Sequence, residues 1–150
     1  MAELLKRTES LPSSYPAAPS GLSTEAQALD PDALWQRLES YIAHRWSERA
    51  VVWVVRGPGD WAPDLTPATI STVEQFINTA WTAVTLDVAW NGGYVLPGDA
   101  IFRVSGTAGV DSPQDVPAAV EEAFRRLAEY SAADPGTWGS STYKVSVGPI

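Results

Sequence analysis

Cysteine is absent from this 150-residue chain, and histidine and methionine occur once each. The lack of cysteine excludes disulfides, thiolate nucleophiles and cysteine-ligated metals. No apolar run approaches the roughly 20 residues that a membrane-spanning helix needs, and the first ten residues lack the apolar segment of a secretory signal. A single histidine leaves few groups for acid–base or nucleophilic chemistry. The composition therefore favours a protein that is not an enzyme and that uses no metal or cofactor.

Positive charge is also scarce. Ten Lys and Arg residues stand against 18 Asp and Glu residues, for a formal net charge of −8. Such a chain is a poor ligand for DNA phosphates, because Lys and Arg supply phosphate affinity. Hydrophobic residues make up 45% and charged residues 19%, which is typical of one folded domain.

Two segments have the periodicity of amphipathic helices. The first covers residues 31–47 and follows the start signal Asp30-Pro31, and the second covers residues 116–132. We expect the two helices to pack on each other. The expected contact residues are Trp35, Leu38, Ile42, Phe124 and Leu127.

Between the helices the pattern is that of short strands. Residues 51–55 form a run rich in valine, and Asn78-Thr79 is typical of a hairpin turn. Asn91-Gly92-Gly93 indicates another tight turn. We expect residues 50–107 to form one small antiparallel sheet inserted between the helices. The predicted fold class is α+β, with two main amphipathic helices packed together and that small antiparallel sheet inserted between them.

The two ends of the chain differ from this central part in their predicted structure. Residues 1–29 are rich in proline and serine after the first ten positions, which predicts an extended N-terminal arm. Residues 30–133 form the predicted helix, β-meander and helix domain. Residues 134–150 are predicted to be an extended tail, in which Tyr143, Val145 and Val147 share one face.

The seven tryptophans allow two interpretations. Trp35, Trp46, Trp53 and Trp81 fall within predicted helix or strand and are expected to pack inside. Trp61, Trp90 and Trp138 fall in predicted loops, where they are free to contact a partner. An aromatic platform for sugars is the alternative interpretation of the tryptophan content.

Four loop carboxylates permit a hydrolase, because a carboxylate pair at the right separation can hydrolyse glycosides. Nothing in their spacing selects one pair. These residues are Asp60, Asp64, Asp87 and Asp99. His44, the single histidine, has no second histidine with which to form a metal site.

Three stretches resemble the head–tail connector proteins of tailed bacteriophages and gene transfer agents. Their order and spacing, over residues 30–137, carry the resemblance. The stretches are IAHRWSERAVVWVVRGPGDWAPDLTPATI (42–70), GGYVLPGDAIFRVSGTAGV (92–110) and DVPAAVEEAFRRLAEYSAADPGT (115–137). The Pro/Ser-rich start departs from related connectors, which often begin with a short charged helix.

The resemblance implies a structural virion protein, made in the host cytoplasm and located in the neck. It implies a twelvefold ring between the portal protein and a stopper or tail-completion protein, with genome DNA passing through without specific binding and no membrane contact. Trp61 and Trp90 are then assigned to the neighbouring subunit or the next ring. The tail is expected to bind the portal by adding to a sheet edge or groove. Its binding residues are Trp138, Tyr143, Val145, Val147 and Ile150. A small carbohydrate-binding or adhesion module is the alternative.

Overall fold

The structure, a computed structural model, describes residues 1–110 and 116–133. These residues form two compact units. The first, here called the β unit, contains residues 1–14 and 43–110. The second, here called the helical unit, contains residues 15–42 and 116–133. The chain therefore leaves the β unit early, forms part of the helical unit, and returns.

The predicted α+β class is wrong, because the described chain is mainly β. Among the described residues, strands take 36% and helices 23%, so the fold is dominated by a five-stranded antiparallel sheet and a second small sheet and not by two main packed helices. The elements in chain order are β1 (Glu3–Glu9), α1 (Thr24–Gln27), α2 (Pro31–Glu39), β2 (Arg49–Arg56), β3 (Gly59–Trp61), β4 (Ala68–Ile77), β5 (Ala80–Ala83), β6 (Tyr94–Leu96), β7 (Ile101–Ala108) and α3 (Ala118–Ala133).

The β unit is built on a five-stranded antiparallel sheet with the strand order β1-β2-β7-β4-β5. Alternate residues of β2 point to one face, as the strand period of two requires. On that face Trp53 lies opposite Val104 and Val55 lies opposite Phe102, and all four side chains are fully buried. A second sheet, β3 paired with β6, adds Trp61 to the same core. The single inserted sheet expected over residues 50–107 is thus two sheets.

The hairpin turn predicted at Asn78-Thr79 is confirmed. Ile77 pairs with Ala80 across it, so the connection between β4 and β5 has two residues. Both turn residues have positive φ, 52° for Asn78 and 63° for Thr79. This is the backbone that suits the right-handed twist of a two-residue hairpin. Asn tolerates it well, whereas a β-branched Thr does not.

Replacing Thr79 with glycine is expected to stabilise the protein. The left-handed backbone costs an L-residue about 1–2 kcal/mol, and glycine avoids most of that cost. We expect Thr79→Gly to raise the free energy of unfolding by about 1 kcal/mol in denaturant titration, after allowance for glycine's extra chain entropy. The matched control is Thr82→Gly inside β5, which should lower it by roughly 0.5–1 kcal/mol. A destabilised Thr79→Gly variant would contradict the turn geometry.

The helix predicted over residues 31–47 ends at Glu39, much earlier than its apolar pattern indicated. Its start is as expected, with the Asp30 carboxylate accepting a hydrogen bond from the Asp32 N–H. Beyond the helix, Arg45 N–H donates to Thr66 O at 2.8 Å and Thr66 N–H donates to Ala43 O at 3.1 Å. Those backbone groups bridge to another segment of the β unit, so they cannot continue a helical ladder.

The helical unit contains the predicted contact between Trp35 and Phe124. Their ring centroids lie 5.0 Å apart and both side chains are fully buried. The second predicted helix is confirmed as α3, Ala118–Ala133. Ile42, expected at the contact between the two helices, is instead exposed.

The N-terminal segment is not simply an extended arm. Glu3–Glu9 forms β1, an edge strand that pairs antiparallel with β2. Thr24–Gln27 forms the short helix α1, which Ser23 caps. The carboxylate of Glu129 in α3 accepts hydrogen bonds from the Ser23 N–H and Oγ–H at 2.8 and 2.7 Å. The arm prediction therefore missed one strand and one helix, although the residues between them have no regular structure.

Candidate interaction surfaces

Trp61 does not lie in an exposed loop. It ends β3, its side chain is only 7% exposed, and its ring packs edge-on against Trp53 at 5.7 Å between centroids. The interface role predicted for Trp61 depended on a loop position, and that position is wrong. A buried indole of this kind packs within its own subunit.

Trp90, in contrast, is 89% exposed. It occupies the first position of a three-residue turn, Trp90-Asn91-Gly92, which we call the Trp90 turn. Ala89 N–H donates to Gly93 O at 2.9 Å and Gly92 N–H donates to Ala89 O at 3.2 Å across this turn. Gly92 has a φ of 83°, as the glycine that closes a three-residue hairpin loop normally does. The indole is therefore held outward by a hydrogen-bonded backbone.

The five residues predicted to bind the portal lie outside the described residues. They are Trp138, Tyr143, Val145, Val147 and Ile150. Their role stays a prediction.

A second exposed apolar surface lies at the turn end of the β4–β5 hairpin, and sequence reasoning missed it. Phe76 and Trp81 are paired across the hairpin, with ring centroids 5.2 Å apart in an edge-to-face arrangement. Phe76 is 46% exposed, and neighbouring Ile77 is 38% exposed. We call Phe76 and Trp81 the hairpin patch; Ile77 follows Phe76 in β4 and so belongs to the opposite face of the sheet. The sequence does contain a signal for this patch, because a two-residue turn at Asn78-Thr79 places Phe76 directly opposite Trp81.

Arg103 of β7 borders the hairpin patch. Its guanidinium carbon lies 4.6 Å from the Trp81 ring centroid. The same guanidinium forms an ion pair with Glu74, with 2.7 Å between Arg103 Nη2 and Glu74 Oε1. The arginine thus covers one face of the tryptophan. Phe76 and Trp81 are inclined at 62°, so this pair does not form the flat platform on which a sugar ring stacks.

A polar cluster joins β1 to the rest of the β unit. The Glu9 carboxylate accepts from Arg45 Nε at 2.6 Å and from Arg49 Nη1 at 3.1 Å. Both arginine side chains are buried: Arg45 is 5% exposed and Arg49 is 3% exposed. Burial raises the pKa of Glu9, but the hydrogen bonds and charges of Arg45 and Arg49 lower it by more, so the net pKa lies below its usual value.

The same strand makes a second charged contact through Arg7. Its Nη1 donates to Asp64 Oδ2 at 2.6 Å, and the other oxygen of Asp64 accepts from Trp53 Nε1 at 2.8 Å. Asp64, one of the four carboxylates considered for hydrolysis, is therefore engaged in holding β1 and the core tryptophan. This contact and the Glu9 cluster give an otherwise exposed edge strand a defined position.

The remaining candidates for chemistry are dispersed. His44 packs its ring against Trp46 at 4.6 Å between centroids. Asp99 lies 3.9 Å from the Arg56 Nε at an exposed position. Over residues 1–110 and 116–133, no group of three or more His, Asp or Glu side chains is placed to hold a metal ion.

Comparisons with known proteins give no relative. No protein-family model matches the chain, and neither the curated proteins nor the solved structures contain a significant match. Among the helices of the described residues, none is both long and apolar enough to cross a membrane.

Proposed function

We propose that the protein is a head–tail adaptor of a tailed bacteriophage or gene transfer agent. In this role it forms a ring beneath the portal protein and joins the portal to a stopper or tail protein. The resemblance of residues 30–137 to such connectors suggests the role. The Trp90 turn is the structural observation that supports it most.

The exposed Trp90 side chain favours contact with a partner for two energetic reasons. An indole that is 89% exposed leaves a large apolar surface in water, and tryptophan is enriched among the residues that dominate binding at interfaces. The hydrogen bonds across the Trp90 turn hold the backbone in place, so binding loses less conformational entropy there. A preorganised aromatic anchor is what a structural protein needs for contact with a neighbouring chain.

A ring subunit needs two different contact surfaces, because each copy meets one neighbour on either side. Such head-to-tail interfaces close into a ring when the rotation between copies allows it. The hairpin patch is a second exposed apolar surface, on a segment of the chain separate from the Trp90 turn. The β unit therefore offers two surfaces of the kind that the proposal requires.

The charge of the chain suits a channel for DNA. With a net charge of −8 per subunit, a ring of many copies carries a strongly negative potential. Such a lumen repels phosphates, and the genome passes through it without specific binding.

Trp90→Ala is expected to weaken assembly without unfolding the protein. Substitution of an exposed side chain usually changes the free energy of unfolding by no more than about 0.5 kcal/mol, so the melting temperature should stay nearly unchanged. Loss of an interface anchor should cost about 2 kcal/mol of binding, or roughly 30-fold in Kd. Native mass spectrometry of the variant, alone and with a candidate portal protein, measures ring formation and binding.

The matched control for Trp90→Ala is Tyr41→Ala, which removes another largely exposed aromatic side chain, from the helical unit. Trp61→Ala is unsuitable, because Trp61 is part of the buried core. Normal assembly by the Trp90→Ala variant would remove the Trp90 turn from the interface and, with it, the main structural support for the adaptor role.

Deletion of residues 137–150 is expected to spare folding and abolish portal binding. The sequence predicts that these residues are extended, with Tyr143, Val145 and Val147 on one face. Such a segment can add to a sheet edge or groove of a partner. Circular dichroism checks the fold of the truncated protein, and titration with portal protein measures the affinity. Undiminished affinity would show that the tail is not the anchor.

A further inference from the structure

The chain contains two asparagines, and their chemical settings differ. Asn78 precedes the β-branched Thr79, whereas Asn91 precedes Gly92. A side-chain amide can be attacked by the backbone nitrogen of the following residue. A β-branched side chain hinders that approach, while glycine has no side chain that could do so. The two sites therefore form a matched pair within one molecule.

The Trp90 turn leaves Asn91 open to this attack. Asn91 and Gly92 are both exposed, and a Cβ built on Gly92 would meet no heavy atom within 4 Å. Gly93 N–H donates to Asn91 Oδ1 at 3.1 Å, which holds the side-chain amide against the turn. A donor on this oxygen polarises the amide and stabilises the negative charge that develops on the oxygen during attack.

We propose that Asn91 is a site of spontaneous deamidation in the folded protein. The Gly92 nitrogen loses its proton and bonds to Asn91 Cγ, while the bond from Cγ to Nδ2 breaks and Nδ2 leaves as ammonia with one added proton. Water then opens the resulting five-membered imide at either carbonyl, giving aspartate or isoaspartate. One water is consumed, one ammonia is released, and no oxidant or reductant takes part.

One contact opposes the reaction. Gly92 N–H donates to Ala89 O at 3.2 Å, and this hydrogen bond must open before the nitrogen can attack. The bond is longer than the usual N–H···O distance of about 2.9–3.0 Å. It lies in an exposed turn, where water can replace the carbonyl during local opening.

The product changes the surface beside Trp90. A neutral amide becomes a carboxylate, so the formal net charge passes from −8 to −9. Isoaspartate also inserts one extra carbon into the backbone, which is incompatible with the Ala89–Gly93 hydrogen-bond pattern of the turn. Both products alter the position or the electrostatic setting of the exposed indole.

The test is incubation of the full-length folded protein at mildly alkaline pH, followed by peptide mapping with mass spectrometry and isoaspartate-specific methylation. We expect Asn91 to convert at least about tenfold faster than Asn78, which corresponds to about 1.4 kcal/mol of barrier. Ammonia release should match that conversion and should be lost in Asn91→Gln, whose longer side chain cannot form the five-membered ring.

Two results would overturn the proposal. One is equally slow conversion at both asparagines in the folded protein. The other is an intact Asn91 in the folded protein together with rapid conversion in denaturant, since the turn would then protect the residue. Circular dichroism of Asn91→Gln establishes that the variant is folded.

Discussion

Phe124→Ala is expected to lower the stability of the helical unit by about 3–5 kcal/mol. Phe124 is fully buried, and its ring contacts Trp35 at 5.0 Å between centroids. Truncation to alanine removes apolar burial and leaves a cavity between α2 and α3, because the surrounding helices relax only partly. The helical signal in far-ultraviolet circular dichroism, followed through denaturant titration, measures this loss.

The matched control is Tyr130→Ala on the same helix. Tyr130 is 68% exposed, so its truncation should change stability by no more than about 0.5 kcal/mol. An unchanged melting temperature for Phe124→Ala would mean that the contact between α2 and α3 is absent in solution.

Glu9→Gln should destabilise the β unit by about 1.5–3 kcal/mol near neutral pH, the range for hydrogen bonds to charged groups. Glutamine keeps the shape of the side chain but removes the charge that Arg45 and Arg49 face. The two guanidinium groups then lose the stabilisation of a shared counter-ion in a largely desolvated position. Denaturant titration, monitored by tryptophan fluorescence, measures the effect.

The destabilisation by Glu9→Gln should depend on pH in a defined direction. The pKa of Glu9 is lowered in the folded protein, so its stabilising contribution is present above the unfolded-state pKa. That contribution is lost as pH falls through the lowered, folded-state pKa, because the carboxylate becomes protonated. The stability difference between the original protein and the variant should therefore close at acid pH.

Glu3→Gln on the same strand provides the control. Glu3 lies 3.8 Å from Arg56, but the two side chains are 62% and 45% exposed, and such pairs contribute about 0–1 kcal/mol. Equal effects of the two substitutions, or a Glu9→Gln effect that stays constant with pH, would contradict the cluster geometry.

The parts of the fold that the sequence predicted correctly depend on local patterns. The valine-rich run became β2, the Asn78-Thr79 turn joined β4 to β5, and the apolar stripe of α3 placed Phe124 inside. Each of these depends on residues close together in the chain, where side-chain period and turn chemistry act directly.

The errors arise from contacts between distant segments. β1 has no apolar alternation, and backbone pairing with β2, about 45 residues later, makes it a strand. The helix predicted over residues 31–47 is shorter than expected, because the backbone groups of Ala43 and Arg45 form hydrogen bonds with Thr66. Trp61 and Trp90 look alike in sequence, yet β3 pairs with β6 and buries only the first. No periodicity encodes such pairings.

The order of the five-stranded sheet has a consequence for synthesis on the ribosome. β7 pairs with both β2 and β4, yet it is the last of the five strands along the chain. As the ribosome releases the N-terminus first, the β1–β2 and β4–β5 pairs emerge before the strand that joins them. The inward side chains of β2, Trp53 among them, then await their β7 neighbours, and such non-local pairing slows folding and exposes apolar surface. A nascent chain that ends before Ile101 lacks the strand that joins β2 to β4, so the five-stranded sheet can be completed only after β7 has been synthesised.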